Sequence, residues 1–303
     1  MPELPDIEAY LTALRPRILG QPLTSLTIAN PFLLRTFDPP ISDLAGRTVH
    51  SLERLGKRII FGFDDQFFLV LHLMIAGRLH WIEPGSTKKG GKALASFEFP
   101  TGKLTLTEAG TTRRASLHLV HGRQALLAFD RGGLEVLDLS QSDFAARLTS
   151  ENHTLKRALT DPRLFSGIGN AYSDEILHRA RLSPMALTSK LSGEETVRLL
   201  AAIKSVLIEW RNRFTAEATR AFPEKVTAFR PEMGVHGRFG KPCPVCGTPV
   251  QRIRYASNET NYCPTCQTSG RLLADRSLSR LLKKDWPRSL EEMEELTADS
   301  RKV

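Results

Sequence analysis

The second and third residues of the chain are Pro2 and Glu3, in the opening run MPELPDIEAY. Once Met1 is removed, Pro2 is a free secondary amine. A reference pKa near 8 leaves about a tenth of such an amine neutral and nucleophilic at pH 7. It can attack an electrophilic carbon and form a covalent intermediate, splitting one hard step into easier ones. The carboxyl group beside it can deliver a proton and take one back. A second reading is open: Pro2 and Pro5 also suit the start of a helix, where a missing N–H is tolerated.

The four cysteines fall in two close pairs, Cys243-Pro-Val-Cys246 and Cys263-Pro-Thr-Cys266, giving C-x2-C-x16-C-x2-C. That spacing suits a four-thiolate zinc site, and close pairs in a reducing compartment argue for metal over disulfide. Each pair sits on a tight turn, so two thiolates can converge on one ion. The intervening VQRIRYASNETNY reads as a β-hairpin. One structural Zn2+ is expected. It does not define the function, since zinc ribbons also serve RNA and protein binders.

A third candidate is SGIGN, Ser166 to Asn170, between two helical stretches. Paired glycines let backbone amides approach a phosphate, and the following helix offers its positive N-terminus. Asn170 adds a side-chain donor, and Lys156, Arg157 and Arg163 lie just upstream. A ligand-free turn and a solvated helix face account for the same residues. Lys57, in RLGKRIIF, is either an active-site cation or ordinary surface. His72 interrupts the apolar LVLHLMIAGRL, as a core histidine or as a phosphate contact.

The 303 residues suggest two or three domains, and a 41% hydrophobic content suits a folded protein. A net charge of +9 points to a polyanion partner, although anionic membranes also attract such a chain. No run of about 18 apolar residues occurs, and the N-terminus lacks a signal peptide's apolar core. The expectation is a cytoplasmic, nucleoid-associated protein with no membrane partner.

The elements that must position these residues change along the chain. Ile7, Tyr10, Leu11, Leu14 and Ile18 recur at helical spacing, with Asp6 and Glu8 in the first turn. From Leu23 to about Leu139 the texture is of short strands. SLERLGKRIIFGF and FFLVLHLM flank Asp64-Asp65, and SFEF and KLTLTE flank Pro100-Thr101-Gly102. LHLV and ALLAFD form a third expected hairpin, turning at His121-Gly122. Helices are expected at SDFAARLTS, HTLKRALTD, NAYSDEILHRARL and GEETVRLLAAIKSVLIEWRNRF. Residues 218–241 read as a linker and EEMEELTADSRKV as a mobile tail. No internal repeat is present.

MPELPD, LGKRI, HLMIAGRL, SGIGNAYSDEIL, VHGRFG and CPVC…NYCPTCQ occur in this order from Met1 to about Arg271. The ordered set resembles the formamidopyrimidine-DNA glycosylase and endonuclease VIII family of base-excision repair enzymes, in a divergent form. The resemblance implies an α+β multidomain fold. An N-terminal β-sandwich with a capping helix (1–140) precedes a helical helix-two-turn-helix domain (141–236). A zinc-finger β-hairpin (237–272) and a C-terminal tail (273–303) follow. It further implies Pro2 as nucleophile, Glu3 as proton donor and acceptor at the sugar, and Lys57 as a positioned cation. His72, Lys156 and Asn170 match positions associated with phosphate or the DNA cleft.

Enzymes acting on a base must flip the nucleotide out of the stack. The resemblance then implies excision and cleavage of the abasic site by β(δ)-elimination. Three departures stand out. The methionine that fills the vacated stack aligns with Ile75, with Met74 one residue early. Arg113-Arg114-Ala115-Ser116 matches a loop that normally carries an aromatic residue. The finger's phosphate-gripping arginine falls at Asn258. These leave the excised base, opposite-base reading and δ-elimination open. The expectation is a monomeric glycosylase and abasic-site lyase acting on damaged DNA. One rival is a damage- or structure-binding protein on the same scaffold. A zinc-ribbon RNA binder would leave Pro2 unexplained.

Overall fold

The computed structural model describes residues 1–86, 92–109, 113–224, 226, 229–255, 258–274 and 286–299. The chain divides into two compact units, Met1–Gly133 with Leu207–Thr227, and Leu134–Val206 with Ala228–Val303. Among the described residues, no helix is long and apolar enough to cross a membrane.

The first unit begins with helix α1, Leu4–Ile18. A capping box starts it: the Glu3 N–H donates to Asp6 Oδ2 at 2.8 Å, and the Glu3 side chain accepts from the N–H of Asp6. Pro5 sits in the first turn, where its missing N–H is harmless. The expected stripe of Ile7, Tyr10, Leu11, Leu14 and Ile18 is buried. Each of these side chains contributes roughly 1.5–3 kcal/mol by leaving water.

Among the described residues of this unit, eight strands form two antiparallel four-stranded sheets. The first joins β1 (Ser25–Ile28), β6 (Ala95–Phe99), β7 (Gly102–Glu108) and β5 (Gly77–Ile82) in that order. The second joins β2 (Val49–Leu55), β3 (Arg58–Phe63), β4 (Phe67–His72) and β8 (Ser116–His121). The sheets share one core with α1. Phe61 of one stacks on Phe97 of the other with ring centroids 6.2 Å apart. Phe222 packs against Tyr10 and Trp81, so the segment after the long helix completes this core.

Two strand readings need correction. The run 51–63 is two strands, reversing at Gly56-Lys57 with Gly56 at φ 60, a conformation glycine adopts without penalty. The third expected hairpin is absent. After β8 the chain turns at Gly122 (φ 83), and Arg123–Leu127 forms helix α2. Arg, Gln, Ala and Leu are strong helix formers. Leu126 packs on Ile60, Phe68 and Val70, so tertiary contact supports the helix.

The second unit carries α3 (Gln141–Thr149), α4 (Leu155–Thr160), α5 (Asn170–Ala180) and α6 (Gly193–Ala218), which continues into the first unit. The expected hairpin is β9 (Gln251–Arg254) with β10 (Glu259–Tyr262), followed by α7 (Pro264–Thr268). Its tip residues 256–257 lie outside the described residues. The tail departs from its reading, because Leu290–Asp299 is a helix, α8. Ser289 caps it by accepting from the Glu292 N–H, and the Leu272 N–H donates to the Arg288 carbonyl at 2.9 Å. The expected tail residues 275–285 and 300–303 lie outside the described residues.

Candidate functional site

Pro2 is buried beneath a partly exposed Met1, and Glu3 is 2% exposed at the N-cap of α1. A rigid helix start therefore holds the carboxylate beside the terminus. Burial lowers the pKa of the Met1 terminal ammonium below its ordinary value. Glu3 and Asp6 oppose that shift, while Arg78 and Lys57 reinforce it. Lys57 stands on the β2–β3 turn, half-buried. Arg54 fixes that turn to α1, donating to Glu8 Oε1 and to the Gly56 carbonyl, both at 3.0 Å. The structure thus brings Pro2, Glu3 and Lys57 into one electrostatic neighbourhood.

His72 ends β4, in register with Arg58 on one side and Ser116 on the other. Its Nδ1 accepts the Met74 N–H at 2.9 Å, which leaves the proton of the neutral ring on Nε2. Burial, followed by the charges of Arg58 and Lys57, pushes its pKa down to about 4. The sign of the pH effect follows from linkage. Above about 6.5 the ring is neutral both folded and unfolded. Between about 6.5 and 4 only the unfolded chain takes up the proton, so stability falls as pH falls, by about 1.4 kcal/mol per unit at most. His72→Asn, whose amide oxygen can accept the same N–H, is expected to flatten that slope in urea unfolding measured from pH 7 to 4. Identical slopes would show that His72 does not refuse the proton.

The loop after His72 is tightly built. Met74 is left-handed at φ 52, and the Gly77 N–H donates to the Leu73 carbonyl at 2.9 Å. A Cβ at Gly77 would lie 2.3 Å from that same oxygen, so only glycine fits. Arg78 Nη1 donates to the carbonyls of Ile75 (3.2 Å) and Gly77 (2.6 Å). Met74 is half-buried, whereas Ile75 is 55% exposed. The adjacent strand end is pinned by Glu108, whose carboxylate accepts the N–H groups of Arg114 and Ala115. Arg113 and Arg114 are exposed there, and the Ala109 N–H reaches the Ala76 carbonyl at 3.4 Å. The two loops are therefore neighbours.

In the second unit, Asn170 is the first residue of α5, and its Nδ2 donates to the Glu259 carbonyl of β10 at 3.0 Å. Lys156, expected at phosphate or the DNA cleft, is engaged within the protein. Its ammonium is buried, donating to Asp174 Oδ1 at 2.5 Å and to the Asn170 carbonyl at 2.7 Å. A charge this engaged positions its partners and is not a free cation. Lys156→Met leaves Asp174, fully buried, with His236 alone among the two partners. Breaking a buried pair from one side costs about 3–5 kcal/mol. A fall of that size in unfolding free energy is expected; a loss near zero would make the pair dispensable. Asn258 is exposed at the hairpin tip, its carbonyl accepting the Tyr255 N–H.

The four cysteine Sγ atoms lie within 4.8 Å of one another, with Cys246–Cys263 at 3.4 Å and Cys243–Cys266 at 4.0 Å. A tetrahedron with Zn–S bonds of about 2.3 Å has edges of about 3.8 Å. The donor set fits one zinc ion. Backbone N–H groups of Val245 and Cys266 already point at Cys243 and Cys263 sulfurs, both at 3.5 Å. Val235 and Val250 pack with these cysteines in a small core of their own.

Several residues that shape these sites escape a sequence reading. Arg78 lies inside the HLMIAGRL run, and its charge was the available signal. Glu108 carries no local cue because its partners are backbone N–H groups, and the pair Asp174-Glu175 because theirs at Val235 and His236 are about sixty residues away.

Residues 1–127 match the model of the formamidopyrimidine-DNA glycosylase N-terminal domain, and residues 135–212 match its H2TH domain. Residues 240–268 match the zinc finger found in FPG and IleRS. The formamidopyrimidine-DNA glycosylase of Thermus thermophilus is 34% identical over 282 residues, covering 89% of this chain and 100% of that protein. A Lactococcus lactis variant of that enzyme, solved with DNA containing Fapy-dG, superposes with a TM-score of 0.77 at 26% identity, over 88% of this chain and 100% of the other. The L. lactis complex with abasic-site DNA gives 0.76 at 25% identity, over 88% and 99%. Matched from helix α1 to the four-cysteine hairpin, the chain belongs to the formamidopyrimidine-DNA glycosylase family of base-excision repair enzymes.

Proposed function

We propose that the chain excises a damaged base with the Pro2 amine as nucleophile and cuts the resulting abasic site by β(δ)-elimination. The observation that carries this reading is Glu3. A carboxylate 2% exposed, locked at the N-cap next to the terminus, is costly to bury and is placed to handle protons there. The amine displaces the base at the anomeric carbon, forming the C–N bond as the C–base bond breaks. Glu3 protonates the opening sugar and later removes the proton whose loss expels the 3′ phosphate. Lys57 and Arg78 disfavour the protonated amine and attract the phosphate backbone.

The remaining residues divide by chemistry. His72 through Nε2–H, Asn170 and the N-terminus of α5 suit phosphate oxygens. Ile75 is the apolar wedge for the vacated stack, with Arg113 and Arg114 beside it, while half-buried Met74 supports the loop. Asn258 offers a neutral contact at the finger. Lys156 acts on DNA through Asn170, whose carbonyl it holds. The protein works as a monomer at the nucleoid, with domain limits 1–140, 141–236, 237–272 and 273–303. A binding-only role is not favoured, since the relatives are named as glycosylases.

A panel of duplexes carrying one oxidised purine, one oxidised pyrimidine or one abasic site tests this reading. Strand cleavage is expected at the abasic site and at one or more of the bases. Ile75→Ala is expected to slow single-turnover excision about tenfold, equivalent to about 1.4 kcal/mol. No cleavage of any duplex would remove the enzymatic reading.

A further inference from the structure

Helix α5 presents the adjacent Asp174 and Glu175 and, one turn on, His178 to the stretch 234–243. Glu175 accepts the N–H groups of Gly234 at 2.7 Å and of Val235 and His236 at 2.9 Å. Asp174 Oδ2 meets His236 Nδ1 at 2.8 Å. One turn on, His178 Nε2 lies 3.2 Å from the Sγ of Cys243. This contact is buried on both sides, His178 being 8% and Cys243 3% exposed. The ring is also confined from behind. A Cβ at Gly234 would sit 3.1 Å from His178 Nδ1, so a larger residue there would push the imidazole.

A cysteine bound to zinc is a thiolate, and a thiolate only accepts hydrogen bonds. The contact therefore has one polarity, with Nε2–H donating to sulfur. The backbone donors to the knuckle sulfurs stand at 3.5 Å, so the histidine makes the shorter contact. It is a side chain supplied from outside the finger, by the helix that starts at Asn170.

We propose that His178 is a positioning residue of the zinc centre. Its N–H···S bond withdraws charge from the Cys243 thiolate, slows loss of the metal, and ties the zinc to the helix whose N-terminus faces phosphate. Outer-shell hydrogen bonds of this kind are worth about 10–100-fold in metal affinity. Packing alone would have been met by a phenylalanine or leucine, which lack a donor.

The inference rests on the four-thiolate zinc centre, which elemental analysis checks separately. The test uses the full chain loaded with Co(II) as a spectroscopic probe and with Zn2+ in chelator competition. In His178→Phe and His178→Leu, the thiolate-to-cobalt charge-transfer band is expected to move to lower energy, and the zinc Kd to rise about 10–100-fold. His178→Gln retains an N–H donor and is expected to restore both in part. Should the apolar variants take up no metal while His178→Gln does, the requirement for a donor stands. An unmoved band with unchanged zinc affinity in the apolar variants would overturn the proposal, as would a glutamine variant that behaves like them or likewise fails to load.

Discussion

Protein with a confirmed Pro2 terminus, incubated with abasic-site DNA and borohydride, is expected to form a covalent adduct that maps to the N-terminal peptide. A secondary amine condensed with the sugar aldehyde gives a cationic iminium, which borohydride reduces to a stable amine. At the Met1 terminus burial lowers the ammonium pKa, with Arg78 and Lys57 acting in the same direction, and the Pro2 amine one residue on lies near the same cations. Glu3 and Asp6 pull the other way, and their carboxylates suit the cationic iminium once it forms. Pro2→Gly is expected to keep some trapping through its primary amine, whereas an uncleaved N-terminal extension should abolish it. Glu3→Gln is expected to slow base excision by about 10²–10⁴-fold while leaving some trapping on a preformed abasic site. Absence of an adduct from correctly processed protein would end the covalent mechanism.

Zinc removal is expected to have an effect as large. Between the knuckles lie two four-residue strands, and the small core around them is Val235, Val250, Cys243 and Cys263 with Cys266 against it. So small a unit does not order itself, and structural zinc in comparable peptides contributes about 10–16 kcal/mol to folding. Asn170 donates to the Glu259 carbonyl on this hairpin, so loss of the metal also releases the start of α5. Chelation, or Cys263→Ser, is therefore expected to abolish duplex binding in a mobility-shift assay. The β-rich unit should keep its far-UV signature, because its core contains none of these residues. Zinc-free protein that binds duplex as well as the loaded form would refute this, and much less than one zinc per chain in the purified protein would remove its premise.

The features legible in the sequence are those whose cause is local. The cysteine spacing names its metal because each pair needs only its own turn. The stripe from Ile7 to Ile18, the α5 run behind SGIGN and the hairpins at Asp64-Asp65 and Pro100-Thr101 follow from periodicity and turn chemistry within about a dozen residues. Pro2 and Glu3 are adjacent by covalent bonding. Where local pattern was ambiguous, contact decided. Arg123–Leu127 is apolar enough for a strand, yet it is a helix seated on Ile60, Phe68 and Val70.

What the tertiary structure alone decided concerns partners distant in sequence. Lys156 reads as a basic surface residue until Asp174, eighteen residues on, takes its charge into the interior. Met74 and Ile75 are equal candidates for the wedge until the His72 ring and Gly77 hold Met74 left-handed and half-buried, leaving Ile75 outside. Arg78, on β5, acts electrostatically on the Met1 terminus seventy-odd residues before it, and His178 reaches a zinc ligand sixty-five residues away. Sequence specifies which chemical groups are available. Burial and long-range pairing determine which of them keep their charge, which point outward, and which act together, because those depend on the dielectric and the neighbours that only the folded chain supplies.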